Sequence, residues 1–159
     1  DLFHVALKNF EHVLHNTDIE QGINSALTVT AVPGMPALVK YINESNKVKP
    51  IYWSMMKANQ HEIGPREYMY PGIFGNKINE WGLREAVDLF DTHSHGFPDS
   101  VKQNYKTYMQ GIMNEFEERE PSPLRQKQFN IYLKELDRRR GTDWTKIYPQ
   151  IYEEVKKIL

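Results

Sequence analysis

Apolar residues at the start of the chain fall at helical spacing. Phe3, Leu7, Phe10 and Leu14 stand three or four apart between Leu2 and His15, with Ala6 and Val13 beside them, and this stripe predicts an amphipathic helix. After the turn-prone Asn16-Thr17-Asp18, the period changes. Residues 25–32, Ser-Ala-Leu-Thr-Val-Thr-Ala-Val, form a short β-branched run stopped by Pro33-Gly34, the pattern of a buried strand. Met35, Leu38, Val39 and Ile42 return to helical spacing until Ser45-Asn46-Lys47, and residues 50–56, Pro-Ile-Tyr-Trp-Ser-Met-Met, read as a second strand. A strand, a helix and a strand in that order make a β-α-β unit with parallel strands and a right-handed crossover.

Beyond this unit the chain reads as helical. The segment 66–75 sets Tyr68, Met69, Tyr70, Ile73 and Phe74 among Pro65, Pro71, Gly72 and Gly75, which predicts a loop or a short edge strand. Ile78, Trp81, Ala86, Leu89 and Phe90 then suggest a helix, with Gly82 its weak point. Pro98 opens another, faced by Val101, Tyr105, Tyr108, Met109, Ile112 and Phe116. Ser122 caps a third in this reading, closed by Gly141 after Arg138-Arg139-Arg140. Asp143 starts the last helix, with Pro149 as a later possible beginning. The expected fold is therefore α/β: residues 1–75 hold the two parallel strands, and residues 76–159 form a mainly helical C-terminal part. Two parallel strands cannot cover both faces or satisfy both edges alone, so further strands are expected from elsewhere.

Composition narrows the function classes. With 159 residues, the chain fits one compact domain or a domain with an appended subdomain. Twenty Lys and Arg against 21 Asp and Glu leave a net charge of −1, so the basic field of a general nucleic-acid binder is missing. No run approaches the ~20 apolar residues of a membrane span, and the first residues lack a signal-peptide core, which leads to the expectation of a soluble, cytoplasmic protein. The absence of cysteine has the largest consequence. It excludes disulfides, thiolate zinc sites, thiol nucleophiles and a cysteine-held iron–sulfur cluster within this chain. Because the first residue is Asp1 and not Met, the sequence is expected to begin inside a longer reading frame or after a trimmed segment.

The sharpest local string is Asp91-Thr92-His93-Ser94-His95-Gly96. Two imidazoles at i and i+2 on an extended strand can face one divalent metal, and the string resembles the first-strand D-x-H-x-H motif of barrel metallohydrolases. Helical sequence follows, and no histidine occurs after His95, so a solvated turn between helices is the competing assignment for His93 and His95. His4, His12 and His15 lie on the first helix without a positioned carboxylate. Neither a Gly-rich phosphate loop nor a G-x-S-x-G elbow is present. Tyr52, Trp53, Tyr68 and Tyr70 are candidates to line a pocket beside the strands, or to pack in the core.

A longer resemblance lies at the C-terminus. Residues 136–149, Leu-Asp-Arg-Arg-Arg-Gly-Thr-Asp-Trp-Thr-Lys-Ile-Tyr-Pro, resemble the closing signature of twitch-domain radical SAM proteins: an acidic-Arg-x-Arg-Gly string followed by spaced aromatics and Pro. The upstream order of helix, strand, helix, strand and helical tail is similar too. The resemblance covers nearly all of this chain but only the C-terminal half or less of such a protein, and it implies the last strands of a partial (β/α) barrel. In that family the first barrel half carries a C-x-x-x-C-x-x-C triad holding a 4Fe–4S cluster that cleaves S-adenosylmethionine reductively. Both groups would therefore come with an N-terminal half and not with this chain. Carried over by position, the strand ends at Thr30, Val32, Met55 and Lys57 would face the cofactor, since ligands gather at the carboxyl ends of parallel strands.

Two hypotheses follow. The chain is the C-terminal portion, or a cluster-less relative, of a radical-SAM-like enzyme, without a complete catalytic site of its own. Alternatively it is a small non-enzymatic α/β binding or assembly module whose open strand edge is covered by a second copy or another protein.

Overall fold

A computed structural model describes residues 2–49, 51–57, 68–92 and 98–159. The fold is mixed α/β and mostly helical, with a two-stranded parallel sheet. Helix α1 (Leu2–Asn16) leads into β1 (Gln21–Leu27), α2 (Met35–Asn46) crosses over, and β2 (Ile51–Lys57) pairs with β1 in parallel from Gln21↔Ile51 to Leu27↔Lys57. The tail is α3 (Arg84–Thr92), α4 (Asp99–Glu117), α5 (Pro123–Arg140), α6 (Trp144–Ile147) and α7 (Pro149–Lys156).

The expected β-α-β unit is present, but its first strand lies four residues earlier than the β-branched run suggested. Residues 28–32 turn instead: Ala31 N and Val32 N both donate to Thr28 O, at 3.0 and 3.2 Å, and a 3-10 turn (Val32–Gly34) delivers the chain into α2. Thr30 and Val32 therefore lie beyond the strand end, which is Leu27. Lys57 does close β2, and Met55 stands two residues before it, in register with Ser25. Segment 68–75 contributes no strand among its described residues; Pro71–Phe74 is a 3-10 turn, and Ser122 N donates to Ile73 O at 2.9 Å to hold it against the start of α5.

Trp53 joins the sheet to the helices. Its indole Nε1 donates to Ser25 Oγ across the strand pair at 3.0 Å, and its ring stacks on Phe90 of α3 and packs against Tyr105 of α4, with centroids 6.1 and 4.7 Å away. The Tyr105 hydroxyl also donates to Trp53 O, so α4 closes the outer edge of β2. Helix α2 lies against α3, linked at its surface by Lys40 and Glu85, and α1 leans on α2 through Phe10 and Tyr41. One buried core runs from Leu27 to Val155 and draws on both the strand region and the tail.

Two local devices shape the tail. A π-helical turn (Asn79–Leu83) precedes α3, and its Gly82 sits so close to the 3-10 turn that an added Cβ would stand 2.4 Å from Val32 O. At the other end, Gly141 adopts the left-handed conformation (φ 66, ψ 30) that a side chain disfavours, ending α5 as its position after the arginines predicts. Asp137 secures this corner by accepting from Thr142 Oγ1 at 2.6 Å and Trp144 N at 2.7 Å. Asp143 caps α6 through Thr145 N, and Pro149 opens α7, so the expected last helix is split in two. Ser122 precedes α5 without a side-chain capping bond, and Pro123 takes the first helical position.

Gly82→Ala is expected to lower stability by about 1–3 kcal/mol, because backbone atoms on both sides must separate. Gly111→Ala, in the interior of α4 with nothing within 4 Å of the new methyl group, is expected to raise it by about 0.5–1 kcal/mol. Urea midpoints of the two variants check this, and equal shifts would show that the Gly82 contact does not govern the packing.

Candidate functional site

The strand pair has one covered and one open side. Along β1, Gln21, Ile23 and Ser25 are half-buried and Leu27 is buried, whereas Gly22, Asn24 and Ala26 are exposed. The helical layer covers the Trp53 face, and the opposite face presents small residues to solvent on β1. The edges are unequal as well. Ile51 N donates to Asn46 Oδ1 and Trp53 O accepts from Tyr105, so these residues turn their backbone groups away from β1. Strand alternation then directs the N–H groups of Gly22, Asn24 and Ala26 away from β2, and they meet no third strand among the described residues. Nothing in Gln21–Leu27 is charged or proline, the usual means by which an edge resists pairing.

At the carboxyl end of the strands, the turn after β1 brings Thr28 Oγ1 and Thr30 Oγ1 to 3.4 Å, and Val29 N donates to Met69 O. Thr30 is half-buried at this rim, but Val32 is wholly buried in the core. Of the four strand-end residues expected to face a cofactor, Val32 is thus removed by its burial. His93 and His95 lie outside the described residues. Among the described residues no three His, Asp or Glu side chains are arranged to hold a metal ion, and no helix is long and apolar enough to cross a membrane.

The aromatic candidates separate. Trp53 packs between α3 and α4, Tyr68 meets Tyr132 of α5 at 4.9 Å, and Tyr70 meets Phe116 edge-on at 5.9 Å. These three serve packing, and the side chain of Tyr52 lies outside the described residues. Tyr70 nevertheless heads a polar cluster that the sequence does not reveal. Its buried hydroxyl donates to Glu115 Oε1, and the Arg119 guanidinium lies 4.8 Å from its ring centre and 3.4 Å from its oxygen. Burial, reinforced by the Glu115 carboxylate, pushes the Tyr70 phenol well above its ordinary 10.0, although Arg119 opposes the shift. Gly72 makes room for this cluster, since a Cβ there would stand 2.4 Å from the Tyr70 ring and 2.8 Å from Arg119. A neutral phenol, a carboxylate and a guanidinium so arranged hold the 68–75 segment against α4. Residues 45 and 49 positions apart meet here, a separation that periodicity cannot detect.

The basic run at the end of α5 is compensated in part from within the helix. Glu135 accepts from Arg138 Nε at 2.8 Å and Arg139 Nε at 2.7 Å, and these bonds pull its carboxyl down to about 2.

The sequence matches no family model, and neither the curated proteins nor the solved structures compared with it show a significant match.

Tyr70→Phe is expected to cost about 1–2 kcal/mol by removing one hydrogen bond from a half-buried carboxylate. The pH dependence has a definite sign. The unfolded chain releases the phenolic proton near 10.0 and the folded chain holds it longer, so the Tyr70 contribution is complete below pH 10 and is lost as pH rises above it. Denaturation between pH 8 and 11 checks this: the wild type should lose stability above pH 10 more steeply than Tyr70→Phe, and parallel profiles would contradict the assignment.

Proposed function

We propose that this chain is the C-terminal portion, or a cluster-less relative, of a twitch-domain radical-SAM-like protein, and that it forms the last strands of a partial barrel together with the tail that closes it. One observation carries the reading. The helical layer covers the Trp53 face of a parallel strand pair, the small residues of β1 are exposed on the other, and Tyr105 bonds the outer edge of β2 while the edge of β1 meets no third strand among the described residues. In a barrel built in chain order, earlier strands would add at β1, and the exposed face would be the inner one. The Leu136–Pro149 string supports the same reading as a compact corner, with Gly141 ending α5, Asp137 holding Thr142 and Trp144, and the Trp144 ring set between Phe129 and Tyr152.

This chain's own residues do not fit the iron–sulfur cluster. Its 159 residues include no cysteine, so cluster ligation and the reductive chemistry that depends on it would belong to an N-terminal half, as would the binding of S-adenosylmethionine. What the chain supplies in this reading is a wall: the rim at Thr30 and the end of β2 at Met55 and Lys57, held in place by the tail. No catalytic residue is assigned to it. The open β1 edge also favours the alternative of an assembly module, in which a second copy takes the place of the preceding strands.

Reading the native coding sequence upstream of Asp1, with intact mass of the natural polypeptide, separates the two. A long upstream segment carrying C-x-x-x-C-x-x-C is the expected result. A start codon immediately ahead of Asp1, with a dimer by light scattering, would overturn the enzyme-portion reading and leave the assembly module.

A further inference from the structure

Helix α5 buries Gln126, Phe129, Asn130 and Leu133. Its opposite face is not the polar surface expected of an amphipathic helix. Leu124 and Ile131 are 65% and 68% exposed, seven residues and therefore about 10 Å apart on one line. Lys127 and Lys134 stand on the same line, exposed, so Leu124, Lys127, Ile131, Lys134 and Arg138 follow the alternating three- and four-residue spacing of a coiled-coil seam. Leu124 and Ile131 share one class of position with Arg138, and Lys127 and Lys134 occupy the other. The two lysines are distinctive because neither meets an acidic partner among the described residues, whereas Lys146, Lys156 and Lys157 on the neighbouring helices each do. Arg138, by contrast, is already occupied by Glu135.

We propose that this face of α5 docks an acidic amphipathic helix of another protein, which sets aliphatic side chains against Leu124 and Ile131 and carboxylates against Lys127 and Lys134. The charge pattern selects this occupant. One unpaired cation between the two aliphatic anchors and a second one turn beyond them match a helix that alternates carboxylates with its own aliphatic positions, and they repel a second copy of α5 laid along the same seam. An anionic membrane would want a continuous apolar face, and here only two aliphatic residues lie among charged ones. Nucleic acid would want a broad basic surface, and in the arginine run Arg138 and Arg139 are already held by Glu135. The inference is independent of the barrel reading, because α5 lies in the tail, away from the open edge of β1.

The test uses the full chain and a fluorescent three-heptad peptide with Leu at every first position and Glu at every fourth, followed by anisotropy. Saturable binding is expected. Lys127→Glu/Lys134→Glu should weaken it at least about tenfold, and a peptide with Lys in place of Glu should restore binding to that variant. Leu124→Ala/Ile131→Ala should weaken it similarly, with unchanged circular dichroism showing that the exposed substitutions leave the fold intact. No binding by about 1 mM peptide, or binding indifferent to the charge exchange, would overturn the proposal. So would association with phosphatidylserine vesicles but not peptide, which would assign the face to a lipid surface, or self-association abolished by Leu124→Ala/Ile131→Ala, which would assign it to a second copy.

Discussion

The arrangement depends on Trp53. A strand pair that donates nothing to the helices would be free to slide or peel, since an isolated pair of strands is marginal in water. Trp53 prevents this in three directions. Its indole bonds Ser25 and fixes β1 beside β2, its ring packs between Phe90 and Tyr105 and fixes the sheet on α3 and α4, and its carbonyl takes the Tyr105 hydroxyl and closes the edge of β2. The last contact has a functional consequence. With Ile51 N and Trp53 O engaged on the outer side of β2, the edge left without a partner among the described residues is that of β1.

The tail extends the same logic. Gly82 lets the π-helical turn approach Val32, which fixes the start of α2, and the Tyr70–Glu115–Arg119 cluster ties the segment after β2 to α4. Further along, Phe129 meets Phe74, and Trp144 lies between Phe129 and Tyr152, so an aromatic relay carries the packing to α7. The helical part therefore acts as the support of a small sheet, and among the described residues one face and one edge of β1 are left uncovered.

Much of this was legible where local chemistry decides the outcome. The stripe of α1, the run faced by Met109, Ile112 and Phe116, and the Gly141 end of α5 all express interactions within a few residues, and the structure places them as the sequence predicts. The first strand was misplaced because its ladder contains Gly22 and Asn24, which have little strand preference, while the β-branched residues beyond Leu27 form a turn. Pairing with β2 overrides propensity there, and pairing is a long-range property. Tyr70 was visible as an aromatic residue, but its partners Glu115 and Arg119 were not, because nothing in a sequence periodicity joins residues of a loop to a helix so distant. The outward seam of α5 escaped for a different reason: an aliphatic residue in a helix does not declare which way it faces, and only the burial of Phe129 and Leu133 places Leu124 and Ile131 on the exposed side.

Amide hydrogen exchange along β1 tests most directly the claim that the sheet is unfinished on that side. In the 159-residue chain the account requires rapid exchange at Gly22, Asn24 and Ala26 and protection at Ile23 and Ser25, whose N–H groups face β2. Equal protection of both sets in a monomer would contradict it, because the edge of β1 would then already be paired within the chain and no further strand could add there.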